Sequence, residues 1–137
     1  MRTKFLTFIT AAAITLTALH ANAADPVPPT QPAAPLLKQA LAGIPGKEVV
    51  MVTVTYAPGA GTPEHRHNAN TFVYVLEGSV VMQVAGGKPV TLTAGQTFYE
   101  SPTDIHSVSR NASATEPAKF LAILVKDIDK PATVPVK

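Results

Sequence analysis

Three histidines have the residue type and the spacing of a metal site. His65 and His67 form a His-Arg-His pair, and His106 follows about forty residues later. Neutral imidazole is the commonest metal ligand in proteins, and side chains at positions i and i+2 of a β-strand project from the same face. A third imidazole from a distant strand would complete a set of three nitrogen ligands around one ion. The alternative is that each imidazole lies on the surface or in the core without a metal.

The segments that must position these histidines read as short strands separated by turns. Gly86-Gly87 and Ser101-Pro102 are typical turn sequences. Short strands with turns every eight to twelve residues indicate an all-β sandwich or barrel in a single domain. Leu36–Leu41 is compatible with one short helical turn, and we expect the tail with Pro131 and Pro135 to lie irregularly on the surface. The predicted strands are Val49–Tyr56, Phe72–Leu76, Val80–Val84, Val90–Thr93, Gln96–Glu100, Ile105–Ser109 and Phe120–Val125.

Strand alternation predicts which side chains share the interior with the histidine pair. Closure of a sheet into a barrel removes its exposed edges and directs alternate side chains inward. Counting in twos from His67 places Thr71, Val73 and Val75 inside. The same count turns three apolar side chains outward, toward a second layer or a partner subunit: Phe72, Tyr74 and Leu76.

The first residues have the pattern of an export signal. Arg2 and Lys4 precede an apolar run from Phe5 to Leu19, and Ala21-Asn22-Ala23 is a small-residue cleavage site. The apolar run is shorter than the roughly 20 residues of a membrane-spanning helix. We therefore expect residues 1–23 to be a signal peptide, the mature protein to be periplasmic or secreted, and no membrane contact to remain after cleavage.

Composition after the signal limits the remaining classes of function. The chain has 11 Lys and Arg residues against 9 Asp and Glu residues, and loss of Arg2 and Lys4 makes these numbers equal. This balance gives no electrostatic basis for binding nucleic acid. Residues 24–35 are rich in proline and are expected to form an extended linker, so that the compact domain spans residues 36–137. The chain has no cysteine, which excludes disulfides and thiolate ligands.

The region around the histidine pair resembles the first sequence motif of the cupin superfamily. That motif contains a glycine, an H-x-H pair, a glutamate and a second glycine at characteristic spacings. The positions that match are Gly59, His65, His67 and Gly78. Thr71 stands where members of the superfamily usually carry the glutamate ligand.

The region around His106 resembles the second cupin motif. Gly95 and His106 match it, whereas Ser101 stands at the proline position with Pro102 next to it. Thr103 stands at the second glycine position, and the motif asparagine arrives one residue late as Asn111. The two motifs follow each other in the order and at the distance typical of cupins.

This resemblance implies a cupin jelly-roll barrel, also called a double-stranded β-helix, with a metal site near its mouth. It also implies a homodimer, because cupin barrels commonly pair. With Thr71 in place of the glutamate, the implied site is three neutral imidazoles, as in three-histidine cupins such as the thiol dioxygenases. Such a set suits one divalent transition metal ion: Fe, Zn, Ni, Cu or Mn.

Two residues are weaker candidates for this site. A threonine hydroxyl is a poor ligand for a divalent ion, so Thr71 would contribute little. Glu100 could be a fourth ligand or a general base if its side chain points inward. We expect instead a solvent-facing glutamate at the rim of the barrel.

The sequence leaves two classes of function open. One is a metal-dependent, dioxygenase-like enzyme that acts on a small polar substrate through the open positions of the ion. The other is a non-catalytic extracytoplasmic protein that binds a metal or a small metabolite in the same barrel. A structural protein is a third alternative if the site holds no metal. The superfamily contains many activities, so the fold does not choose among them.

Overall fold

The computed structural model describes residues 32–136, and strands are the regular secondary structure of this range. The predicted signal peptide and residues 24–31 of the predicted linker lie outside the described residues. In the described part of the chain, no helix has the length and apolar character needed to cross a membrane. The strands in chain order are β1 (Ala34–Ala40), β2 (Lys47–Tyr56), β3 (Gly61–Thr62), β4 (His65–His67), β5 (Ala69–Glu77), β6 (Ser79–Val84), β7 (Val90–Thr93), β8 (Thr97–Glu100), β9 (Ile105–Asn111), β10 (Ala118–Asp127) and β11 (Thr133–Pro135).

The strands form two antiparallel sheets. One sheet has the order β1-β2-β10-β5-β8, and the other has the order β11-β4-β9-β6-β7 with β3 paired to β9. Because strands distant in sequence are neighbours in both sheets, the chain crosses repeatedly between the two layers, as in a jelly roll. The predicted all-β jelly-roll class is confirmed.

The core lies between the inner faces of the two sheets. Val73, Val75 and Phe120 from the first sheet pack with Val80 and Met82 from the second. Along β5 and along β10 buried and more exposed residues alternate, which is the pattern of strands with one face against a core. The predicted parity of residues 71–76 is therefore correct: Thr71, Val73 and Val75 are buried, and Phe72, Tyr74 and Leu76 are exposed.

The predicted helical turn at Leu36–Leu41 is wrong. All of this segment except Leu41 belongs to β1, which starts at Ala34 within the predicted linker and pairs with β2, where Ala40 lies opposite Glu48. All seven residues of β1 are exposed. Because neither face of the strand is buried, its sequence lacks the alternation of apolar and polar residues that predicts a strand. A six-residue helix would leave most of its backbone groups unpaired, whereas pairing with β2 satisfies the backbone groups of β1 that face β2.

The tail is more regular than predicted. Thr133 to Pro135 forms β11, which pairs with β4 so that Thr133 lies opposite His67 and Pro135 lies opposite His65. Asn68 reinforces this pairing, since its side-chain amide donates to the Pro131 carbonyl and its backbone N–H donates to the Ala132 carbonyl. The chain thus closes over the strand that carries the histidine pair.

Asn111 anchors the far end of β9, the strand that also carries His106. Its buried side-chain amide lies 2.8–3.3 Å from the backbone carbonyls of Tyr56, Ala57 and Glu116. Its Oδ1 accepts from the backbone N–H of Ser113 at 2.9 Å. These bonds tie β9 to the end of β2, which lies in the opposite sheet.

Candidate metal centre

The structure brings the three predicted histidines together. His65 on β4 lies directly opposite His106 on β9 in the antiparallel register, and His67 follows two residues later on the same face. The ring centroids lie 4.8 Å apart for His65 and His67, 5.0 Å for His65 and His106, and 6.4 Å for His67 and His106. The pairing of β4 with β9 therefore brings the histidine pair next to His106.

Hydrogen bonds at Nδ1 orient the two rings of the pair. His65 Nδ1 lies 2.9 Å from the Pro63 carbonyl, and His67 Nδ1 lies 3.3 Å from the Ala132 carbonyl and 3.1 Å from Thr133 Oγ1. A carbonyl only accepts, so Nδ1 carries the proton in each neutral ring and Nε2 keeps a free lone pair. This outer arrangement is common for histidines that bind metals.

The two free Nε2 atoms face each other at a separation of 3.2 Å. Two nitrogen ligands about 2.1 Å from one ion and 3.2 Å from each other subtend about 100° at that ion. This angle lies between the octahedral and the tetrahedral value. The candidate ligand atoms of all three histidines lie within 4.8 Å of one another. Ligands at octahedral or tetrahedral angles on one ion with bonds of about 2.1 Å lie about 3.0–3.4 Å apart, so side-chain shifts of about 1.5 Å in total complete the set.

Burial keeps the pair in the protonation state that a metal requires. Desolvation lowers the pKa of both His65 and His67, and the nearby Glu100 opposes this in each case without reversing it. For His65 the hydrogen bond to the Pro63 carbonyl opposes the shift more strongly than Glu100 does. Both imidazoles are therefore neutral at neutral pH, and neutral imidazole is the ligand form.

The sequence predicted that Glu100 lies at the rim of the barrel and faces solvent. This prediction is wrong. Glu100 is 1% exposed, and Oε2 lies 3.1 Å from His106 Nδ1 and 3.9 Å from His67 Nε2. Its partner across the strand pair is Thr71, also 1% exposed. The parity of β8 explains the difference, because Tyr99 takes the exposed face and the next residue must then point inward.

The unpartnered polar atoms of the interior are concentrated at this point. Among residues 32–136, the buried side-chain nitrogen and oxygen atoms without a hydrogen-bond partner all belong to Thr71, Glu100 and His106. The approach of Glu100 to His106 is close enough for a hydrogen bond but poorly aligned for one. Buried polar groups are normally paired. A cluster of nitrogen and oxygen atoms without hydrogen-bond partners is therefore consistent with a site where these atoms bind a cation.

The histidines and Glu100 form one wall of a cavity of about 590 Å³. Its other walls come from β2, β5 and β10 and from the β11 region. The exposed members of its lining mark its mouth: Ala33, Pro63, Glu64, Thr133 and Pro135. The volume falls within the range of pockets that enclose small molecules.

Several residues of the site are not predicted by the sequence. Ala132 and Thr133, which orient His67, lie in the tail that was predicted to be irregular, and no local pattern links them to the histidines. Tyr56 lines the cavity and its hydroxyl bonds to Ser109 Oγ at 2.8 Å and Thr62 Oγ1 at 3.0 Å. Burial raises the pKa of Tyr56. The alternation of β2 predicts an inward Tyr56 but not its partners.

Residues 52–124 match the cupin domain family. The match covers more than half of the chain and includes both histidine motifs, so the chain belongs to the cupin family. Among curated proteins, none matches this chain.

Solved structures share the fold. A Klebsiella pneumoniae protein with a double-stranded β-helix domain is 18% identical, with a TM-score of 0.61 over 81% of this chain and 90% of that one. The DMSP lyase DddQ from Ruegeria pomeroyi is 22% identical, with a TM-score of 0.57 over 64% of this chain and 43% of that one. These two likenesses concern the fold alone.

Oxalate oxidase in complex with the substrate analogue glycolate is 26% identical. Its TM-score is 0.52 over 64% of this chain and 46% of that one. The chain therefore spans less than half the length of the DMSP lyase and of the oxalate oxidase that it matches. Together with the three-histidine cluster, membership in the cupin family supports a metal-binding cupin.

Proposed function

We propose that this protein is an exported, metal-dependent cupin enzyme that acts on a small molecule by dioxygenase-like or related chemistry. The observation that carries the proposal is the convergence of His65, His67 and His106 beside the unpaired carboxylate of Glu100. These donors open into a cavity large enough for a substrate. Export rests on the sequence of residues 1–23 and remains a proposal.

Each residue of the site has a part in this proposal. The three imidazoles would hold one divalent transition metal ion, and Glu100 is placed to be a fourth ligand or to accept a proton from a group bound beside His106. A bound ion would supply Lewis acidity or, for a redox-active metal, oxygen chemistry. The Pro63 and Ala132 carbonyls keep the two Nε2 atoms of the pair turned toward the cavity.

Among residues 32–136, Glu100 is the one buried carboxylate that lines the cavity, which favours an alternative, a non-catalytic extracytoplasmic binding protein. Of the acidic residues that line the cavity, Glu64 lies exposed at the mouth and Glu100 contacts the histidines. If Glu100 is a ligand, the lining retains no buried carboxylate for acid–base chemistry. Such a barrel would bind a metal or a small metabolite without turnover.

Elemental analysis and oxygen uptake separate these functions. Protein purified from its native compartment should contain about one equivalent of Fe, Zn, Ni, Cu or Mn. The metal-loaded protein should then consume oxygen with a member of a panel of thiols, diketones and phenols. Bound metal with micromolar binding of one compound and no turnover supports the binding protein. Protein without any metal rejects the metal-dependent enzyme and leaves only a binding protein for a small metabolite.

We also propose that the protein is a homodimer that pairs through the outer face of the five-stranded sheet. Met51, Ile123, Phe72 and Tyr99 lie side by side across β2, β10, β5 and β8. The next row is Thr53, Leu121, Tyr74 and Thr97. Neither row contains a charged side chain, and Phe72, Tyr74 and Tyr99 are exposed. A contiguous apolar patch of this kind is typical of a protein–protein interface.

A further inference from the structure

The cavity beside the candidate metal centre is mostly aliphatic. Val50, Val52 and Val54 line it from β2, and Ala122 and Leu124 line it from β10. The three valines are on the inner face of the sheet and yet only partly buried. They are therefore apolar surface that a ligand in the cavity could cover.

The lining contains no lysine and no arginine among the residues that the structure describes. Its charged side chains are the carboxylates of Glu64, at the mouth, and Glu100, beside the histidines. A carboxylate or phosphate deep in the cavity would meet no cationic side chain, and burying an unpaired charge in apolar surroundings is costly. The lining thus disfavours an anionic body in the ligand.

The remaining polar groups lie at one end or are already paired. The Tyr56 hydroxyl hydrogen-bonds to the hydroxyls of Thr62 and Ser109. Free hydrogen-bonding capacity is concentrated at Thr71, Glu100 and His106. A ligand would therefore meet donors and acceptors at the metal centre and aliphatic surface along its body.

We infer that the substrate or ligand of this site has an uncharged aliphatic or aromatic body and one polar, metal-binding end. This inference rests on the proposed metal-dependent function and narrows it. It replaces the small polar substrate expected from the sequence with a molecule that is polar at one end only. It also separates this site from one built for a small dianion such as oxalate.

A series of hydroxamic acids tests the inference, since the hydroxamate group binds metal ions and the tail can be varied independently. Binding of acetohydroxamate, butanohydroxamate and hexanohydroxamate to the metal-loaded protein is measured by isothermal titration calorimetry. Affinity should rise about four-fold for each methylene that the cavity buries. The monohydroxamate of adipic acid carries a carboxylate at the end of a similar tail and should bind at least ten-fold more weakly than hexanohydroxamate. Equal affinities across the series, or tighter binding of the adipic compound, would overturn the inference.

Paired variants locate the tail. Val50→Thr/Val52→Thr keeps the shape of the two side chains but places a hydroxyl on each. The double variant should weaken the binding of hexanohydroxamate about four-fold or more and change the binding of acetohydroxamate less than about two-fold. The matched control is Val49→Thr/Val125→Thr, because these residues face each other across β2 and β10 on the opposite face of the sheet. An equal loss in both double variants would contradict the assigned wall.

A second titration series tests this inference separately from the proposed function. It measures the binding of n-alcohols of increasing chain length to protein whose metal has been removed with EDTA. A rise in affinity with chain length that persists without metal supports the apolar cavity, whatever the fate of the metal assignment. A flat series with a firmly bound metal rejects the ligand class and leaves the metal-dependent function intact. Protein that never holds metal but shows the rise rejects the metal-dependent function and keeps the apolar ligand.

Discussion

Thr71 and Glu100 face each other across β5 and β8, with both side chains buried and pointing into the interior. Thr71 occupies the place of the glutamate in the first cupin motif, and the carboxylate stands instead on its neighbour in the adjacent strand. Directly opposed residues of an antiparallel pair have Cβ atoms about 4.5–5.5 Å apart. A carboxylate can therefore reach nearly the same volume from either strand.

This relationship predicts the effect of exchanging the two residues. Glu100→Gln keeps the size of the side chain but removes its charge, and we expect metal affinity to fall about 10–100-fold, as for other groups that support a metal site. The exchange Thr71→Glu/Glu100→Thr returns the carboxylate to the motif position and should recover most of that affinity. Competition with a fluorescent chelator measures both. The control is Glu64→Gln at the exposed mouth, which should change metal affinity less than about two-fold. If the exchanged variant binds metal no more tightly than Glu100→Gln, a carboxylate at position 71 cannot replace the one at position 100.

Removal of the histidine pair tests the ligands themselves. His65→Ala/His67→Ala should abolish metal retention, because at most one imidazole then remains, while the far-ultraviolet circular dichroism stays that of a β-barrel. Both residues are only partly buried on a three-residue strand, so the core is unaffected. Arg66→Ala, an exposed change between them, should leave metal content unchanged. Metal retained by the double variant, measured by inductively coupled plasma mass spectrometry, would show that the ligands are elsewhere.

The pH dependence of stability follows from the buried imidazoles. Burial lowers the pKa of His65 and His67 below 6.5 in the folded protein, so the unfolded chain binds protons more readily as the pH falls through 6.5. The stability of the metal-free protein should therefore decrease as the pH falls from about 6.5 toward the lowered folded values. Urea unfolding between pH 7.5 and pH 5 measures this. The slope should be smaller in His65→Ala/His67→Ala, and equal slopes in the two proteins would exclude the imidazoles as its source.

The sequence alone predicted that the three histidines come together. It also predicted the all-β class and the inward direction of Thr71, Val73 and Val75. These depend on strand alternation, which is local and has a period of two. The sequence did not predict β1, whose residues are all exposed, or β11, where Pro131 and Pro135 suggested an irregular tail. Nor did it predict that Glu100 approaches His106, because the direction of a side chain next to a turn depends on where the strand pairing ends. Contacts between distant segments, such as His67 with Ala132 and Thr133, leave no periodic trace.

The proposed dimer predicts a change of mass when charge is placed on the outer sheet face. Phe72 lies at the centre of the apolar rows, between Ile123 and Tyr99, and Phe72→Glu should convert the dimer to a monomer because two carboxylates would meet in the interface. Thr91→Glu on β7, exposed on the other sheet, should leave the dimer intact. Analytical ultracentrifugation measures the mass of each. A wild-type protein that is monomeric at micromolar concentration would contradict the interface.

The glycines Gly78 and Gly95 predict different costs of substitution by alanine, because only one of the two positions has space for a Cβ atom. Gly78 and Gly95 both have positive φ, at 68° and 89°. A Cβ at Gly95 would meet open space, whereas a Cβ at Gly78 would lie 2.4 Å from the Pro117 carbonyl oxygen and 3.0 Å from Ala118 Cα. Gly95→Ala should therefore cost only the left-handed backbone penalty, about 1–2 kcal/mol. Gly78→Ala adds a clash with the start of β10 that only a backbone shift can relieve, so its total cost should be about 3 kcal/mol or more. Urea denaturation of the two variants measures the difference in the free energy of unfolding, and equal losses would mean that the turn between β5 and β6 can move away from Pro117 freely.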